Sequence, residues 1–206
     1  MTDVAELDPR IKRTRQLLFN ALEELLVEKG FDAITMQDIA ERSTLNRGTI
    51  YDHFADKFGL LEAMVAERFQ ELFCARMGKA EGTCLGAMRQ MILTLCDYLG
   101  GLMKCATGRK RPFEPVVEST VRTIVRRFLL EGLSKGGKTK SAEDADLRAT
   151  AASWLICGTV LDWSREQKTT PDALADEVLP LVAGILYLAP DSSHPGKPLL
   201  PPVPAM

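Results

Sequence analysis

The chain has 206 residues with 26 Lys and Arg against 28 Asp and Glu, a net charge of −2, and 46% hydrophobic side chains, enough for one sizeable domain or for a small one joined to a larger one. No apolar run approaches the ~18 residues of a membrane span, and the N-terminus has no basic region followed by an apolar stretch, so a soluble, cytoplasmic protein is expected. Five cysteines (Cys74, Cys84, Cys96, Cys105 and Cys157) lack C-x-x-C spacing and only His53 and His194 are present, which argues against a disulfide framework, a zinc site and histidine-based catalysis; no cofactor, metal or enzyme activity is predicted.

From Ile11 to Glu28, Leu17, Leu18, Ala21, Leu22, Leu25 and Leu26 recur at helical spacing, and Gly30 supplies a C-terminal stop. Four cations, Arg10, Lys12, Arg13 and Arg15, crowd the start of this helix, where the helix dipole disfavours positive charge. A nearby phosphate backbone accounts for that placement; a solvated cap is the plainer alternative.

The stretch from Thr35 to Phe54 reads as two short helices joined by a tight turn. Thr35 with Asp38 has capping-box spacing, and Ile34 with Ile39 forms a hydrophobic staple. Asn46 caps the second helix, with Leu45 positioned to meet Ile50. Ile39, Ala40, Leu45, Ile50 and Phe54 then face inward, leaving Arg47, Gly48, Thr49, Tyr51, Asp52 and His53 outward, groups suited to base edges and phosphates in a major groove. Asp56 caps the next helix, with Lys57 at its first position.

Further on, Thr83 caps a helix whose apolar positions, from Leu85 to Met103, are too many for a single stripe. The segment 106–112 is a basic connector, or a second contact to nucleic acid. From Pro115 helical spacing returns through Leu129. Residues Gly132 to Thr139 fit G-x-x-x-x-G-K-[ST], the phosphate-cradling pattern, but a helical rather than a strand pattern leads in, so a linker is the better account than a nucleotide site. Ser141 with Asp144 opens a helix toward Arg165, and Thr170-Pro171 opens the last one, in which Pro180 is expected to kink the backbone. These two apolar helices look like a dimer interface. The tail 191–206 holds five prolines and reads as extended.

The run Gly30-Phe31, Thr35 to Ala40, Asn46 to Phe54 and Asp56-Lys57 resembles the TetR (tetracycline-repressor-like) family of bacterial transcriptional regulators. One departure is Thr44, which stands where such turns usually carry glycine; a β-branched residue is a poor occupant of left-handed backbone, so a different or strained turn is expected. The resemblance implies an all-α fold: an N-terminal arm (1–9), a three-helix DNA-binding domain (10–56), a larger helical regulatory and dimerisation domain (57–190) and the tail (191–206). It implies a homodimer that binds a double-stranded palindromic operator and is released by a small hydrophobic inducer. Expected DNA contacts are Thr35, Asn46, Arg47, Gly48, Thr49, Tyr51, His53 and Lys57, with Arg47 on a base edge and Lys57, by the resemblance, on phosphate; packing on the first helix is the alternative for Tyr51. Met88, Met91, Met103, Phe113, Trp154 and Trp163 are the expected lining of an apolar ligand cavity. A nucleotide-binding protein using 132–139 and a helical protein-interaction module without DNA are the other readings.

Overall fold

The computed structural model describes residues 8–77, 85–105, 113–136 and 141–187. Among them are eight helices: α1 (Pro9–Ala33), α2 (Met36–Ser43), α3 (Arg47–His53), α4 (Lys57–Met77), α5 (Leu85–Cys105), α6 (Glu114–Gly136), α7 (Ala142–Glu166) and α8 (Pro171–Tyr187). Thr83, the basic connector 106–112 and the tail 191–206 lie outside the described residues.

The helix starts follow the side-chain chemistry read from the sequence. Thr35 caps α2 in a reciprocal box: Asp38 N–H donates to Thr35 Oγ1 at 3.2 Å and Thr35 N–H donates to Asp38 Oδ2 at 2.7 Å. Asn46 Oδ1 accepts from Gly48 N–H at 2.9 Å at the head of α3. Asp56 Oδ1 accepts from the Phe58 and Gly59 N–H groups, Ser141 Oγ from Asp144 N–H, and Thr170 Oγ1 from Ala173 N–H. Each satisfies N–H groups that a helix start otherwise leaves unpaired.

Gly30 has φ 71° and ψ 157°, which breaks the helical path of α1 before Phe31. Only a residue without Cβ adopts such backbone freely, and the break turns the chain so that Phe31 and Ile34 bury beneath α4. The segment 132–136 of the phosphate-loop pattern is the end of α6, so no strand delivers it, and the described residues contain none.

The first three helices bury Leu18, Phe19, Leu22, Leu26, Ile39 and Ile50 in a small core shared with the start of α4. α4 then runs on into the larger part of the molecule. Its Phe69 and Phe73 meet Tyr98 of α5 and Phe128 of α6 at ring separations of 5.3 and 4.9 Å. In that larger part α7 is central, packed on α5, α6 and α8, which its buried Ala145, Ala149, Ala152 and Ser153 permit by letting neighbours approach. As expected from its apolar count, α5 is buried on more than one side, from Ala87 to Met103. Pro180 lies within a helix that continues through it to Tyr187.

Candidate DNA interface

Ion pairs hold α2 against α1. Lys29 Nζ lies 2.7 Å from Asp38 Oδ1, and Arg42 reaches Glu28 at 2.6 Å and Glu24 at 3.1 Å. The Lys29 ammonium, joined by the Thr35 hydroxyl and N–H, holds the Asp38 carboxyl down at about 2. Arg42 likewise lowers Glu28.

Between α2 and α3 the chain turns at Thr44, whose φ of 57° and ψ of 26° are left-handed. Leu45 N–H donates to Ala40 O at 3.2 Å and Thr44 N–H to Glu41 O at 3.3 Å. This is the six-to-one and five-to-two bond pair of a Schellman ending, normally given to glycine. The turn is therefore built in the usual way, with a threonine bearing the left-handed backbone.

The turn sets α3 with Ile50 buried and Phe54, at its end, buried against Phe19. Arg47, Gly48, Tyr51 and Asp52 are exposed, and Thr49 and His53 half-buried. The Arg47 guanidinium lies 6.0 Å from the Tyr51 ring centroid, and Tyr51 is 48% exposed, so its ring stands outward with Arg47 rather than packing into the core. Thr35 and Asn46, also exposed, lie at the starts of α2 and α3. The eight expected DNA residues thus come from the α2 start, the α3 start and outer face, and the α4 start.

Lys57 carries a role that the sequence did not disclose. Its ammonium donates to Phe31 O, Asp32 O and Ile34 O at 3.0, 3.2 and 2.9 Å and stands 4.7 Å from the Phe31 ring centroid. The ammonium thereby gathers three carbonyls at the end of α1, of which that of Phe31 also accepts from Ile34 N–H at 3.2 Å. The periodicity of α4 could not show this, since the acceptors are more than 20 residues away in the chain.

The cations at the start of α1 divide. Arg10, Lys12 and Arg13 are exposed, whereas Arg15 turns inward to Glu67 at 3.1 Å.

The six residues expected to line one apolar cavity stand in different surroundings. Met88, Met91 and Met103 are buried on α5, but 15 residues of helix separate the outer two by about 22 Å. Phe113 stacks edge-on with Phe31 at 5.8 Å, at the junction with the N-terminal helices. Trp163 is partly buried, its ring against Gly100 and its Nε1 donating to Thr169 O. Trp154 is 52% exposed on α7, its ring covered on one face by Arg122 at 3.4 Å. Helical spacing gave depth in the helix but not which neighbour each face meets. Among the described residues no cluster of His, Cys, Asp and Glu could hold a metal ion, and no helix is long and apolar enough to cross a membrane.

Residues 18–64, which contain this interface, match the family described as "Bacterial regulatory proteins, tetR family". Beyond it, the chain is 31% identical over 183 residues to the HTH-type transcriptional regulator UidR of Escherichia coli (strain K12), covering 84% of this chain and 93% of UidR. The chain belongs to the TetR family. Three further relatives from Bacillus subtilis, all HTH-type transcriptional regulators, align over shorter stretches, and the chain spans 18%, 27% and 30% of their lengths. Solved structures share the fold over most of the chain. FadR of Bacillus subtilis in complex with stearoyl-CoA superposes with a TM-score of 0.54 at 20% identity, over 84% of this chain and 99% of FadR. RolR in complex with resorcinol does so with 0.52 at 21%, over 84% and 91%. The TetR assignment makes the chain a transcriptional regulator with a DNA-binding helix-turn-helix.

Proposed function

We propose that this TetR-family regulator is a homodimeric repressor that binds a palindromic operator through α3 and is released by a small hydrophobic ligand. The observation that carries the reading is the division of α3: Ile50 is buried while Arg47, Gly48 and Tyr51 face solvent on one side. Arg47 reads a base edge, most naturally the two acceptors of guanine. Thr35, Tyr51 and His53 hold phosphates, Thr49 serves either purpose, and Asn46 and Gly48 present the open start of α3 to the backbone. Lys57 reaches phosphate by exchanging one of its carbonyl bonds.

Dimerisation is supported by an apolar stripe. Leu147, Ala151, Trp154 and Gly158 are exposed along α7 at intervals of four, three and four residues, with Leu181, 59% exposed, on neighbouring α8. A Cβ at Gly158 would meet nothing within 4 Å, which leaves room for a partner helix at close range. Two copies joined there form a four-helix interface and set two α3 helices in successive major grooves about 34 Å apart.

For the ligand, the deformable thioethers of Met88, Met91 and Met103 and the ring of Trp163 provide the adaptable lining, and the ligand-bound neighbours FadR and RolR show the fold in company with stearoyl-CoA and resorcinol. Release requires that the ligand prefer a conformation with altered spacing between the two α3 helices. Trp154, outside, belongs to the dimer stripe rather than to this lining.

Footprinting tests the reading. The wild-type chain protects a site with two-fold symmetry, and Arg47→Ala weakens binding there by about 1–3 kcal/mol while relaxing the preference at one base pair of each half-site. Equal affinity of Arg47→Ala and wild type contradicts it.

A further inference from the structure

Arg15 sits among the cations at the start of α1, yet its side chain is committed inside the protein. Nε and Nη2 donate to one oxygen, Glu67 Oε2, at 3.3 and 3.1 Å, and the Glu67 side chain is only 9% exposed. The guanidinium carbon lies 5.2 Å from the ring centroids of both Phe19 and Phe54. Phe54 is the residue on which α3 ends, its N–H bonded to Ile50 O at 2.8 Å. One side chain of α1 therefore touches the end of the recognition helix and the middle of α4. A turn further along, Arg68 of α4 donates to Glu23 at 2.9 Å and to Asn20 at 2.8 Å, which ties α1 to α4 but does not reach α3.

We propose that Arg15 and Glu67 form a clip that fixes the angle of α3 to α4, making both of them positioning residues for operator recognition and Arg15 not a phosphate contact. The inference rests on the DNA-binding reading above. A carboxylate so nearly buried needs a partner to remain charged. The planar guanidinium suits the position because it offers its edge to Glu67 and its faces to two aromatic rings, which an ammonium cannot do at once. Because α4 continues into the larger helical part, the clip carries any displacement of α4 to α3. An angular error there is repeated in both half-sites of a dimer.

The test uses the full chain and the variants Glu67→Gln, Arg15→Gln, Arg15→Lys and the double Arg15→Gln/Glu67→Gln. Their affinities are measured for the selected operator and for unrelated duplex between 50 and 200 mM salt, on the order of the range where phosphate contacts declare themselves. Each single variant is expected to bind operator about tenfold more weakly, with unrelated duplex and the salt slope unchanged, and the double variant is no weaker than the worse single. Arg15→Lys, which keeps the charge, falls with Arg15→Gln. The inference is overturned if Glu67→Gln binds like wild type while Arg15→Gln lowers the slope by about 0.9, the signature of one lost phosphate contact, or if Arg15→Lys binds like wild type. Hydrogen exchange without DNA gives an independent reading: amides 50–54 exchange faster in Glu67→Gln if the clip holds α3, and equal rates overturn it. A chain that selects no operator would defeat the functional proposal while exchange still judges the clip.

Discussion

Asp38 shows how much of the N-terminal architecture rests on single polar side chains. It closes the capping box with Thr35 and meets Lys29 of α1, and those partners lower its pKa from 3.8 to about 2. A folded-state value below the unfolded one means that the contribution to stability is complete above the unfolded value and lost as pH falls from there toward the folded one. Chemical unfolding of wild type and Asp38→Asn is therefore expected to differ at neutral pH, with wild type more stable, and to converge between 3.8 and about 2. A difference that stays constant through that window would show that the carboxylate charge is not what joins α1 to α2. Thiols follow the same logic of environment. Burial pushes Cys96 and Cys157 up to about 12, so both stay neutral and pack as small hydrophobes, whereas Cys74 is exposed. The sequence alone cannot separate these, because each of the three lies in a helix of mixed polarity.

At the scale of elements, helix starts were the most legible feature, since capping is local: Thr35, Asn46, Asp56, Ser141 and Thr170 each act within three residues of themselves. The turn between α2 and α3 was half legible. A threonine where glycine is usual marked the position, and the backbone resolves the alternatives in favour of left-handed φ with strain. Such backbone costs an L-residue about 1–2 kcal/mol, partly offset in a glycine by about 0.5–1 kcal/mol of additional chain entropy. Thr44→Gly is thus expected to stabilise the protein by roughly 0.5–1 kcal/mol, read as a higher denaturant midpoint at unchanged slope. A lower midpoint would mean that the threonine side chain contributes contacts that outweigh its backbone. What stayed hidden at this scale was long-range: Lys57 capping the carbonyls of 31, 32 and 34, and Arg15 turning from solvent to Glu67. Charge position in sequence says that a cation is present, not which distant acceptor the fold brings to it.

For the whole molecule, the all-helical class and the TetR resemblance followed from periodicity and from motif residues at fixed offsets, and both are met by the structure and by the likeness to UidR. The expected ligand lining was less legible, because apolar helical positions report burial and not which cavity they share. Trp154 is the clearest case: read as interior, it stands on the outer stripe of α7 beside Leu147 and Gly158. If that stripe joins two copies, Trp154→Glu raises the dimer dissociation constant by at least about thirtyfold, the loss typical of a central aromatic anchor. Sedimentation equilibrium would detect it, and a variant as dimeric as wild type would place the interface elsewhere. A monomeric variant should also lose cooperative operator binding while keeping its affinity for a half-site.

Selection of bound sequences from a random duplex pool tests the central claim, that two α3 helices read one DNA site across a two-fold axis. The account predicts enrichment of an inverted repeat whose half-site centres are about one helical turn, or a whole multiple of it, apart, with a guanine contact that disappears when the selection is repeated with Arg47→Ala. Recovery of no enriched sequence, or of one without two-fold symmetry, would contradict it.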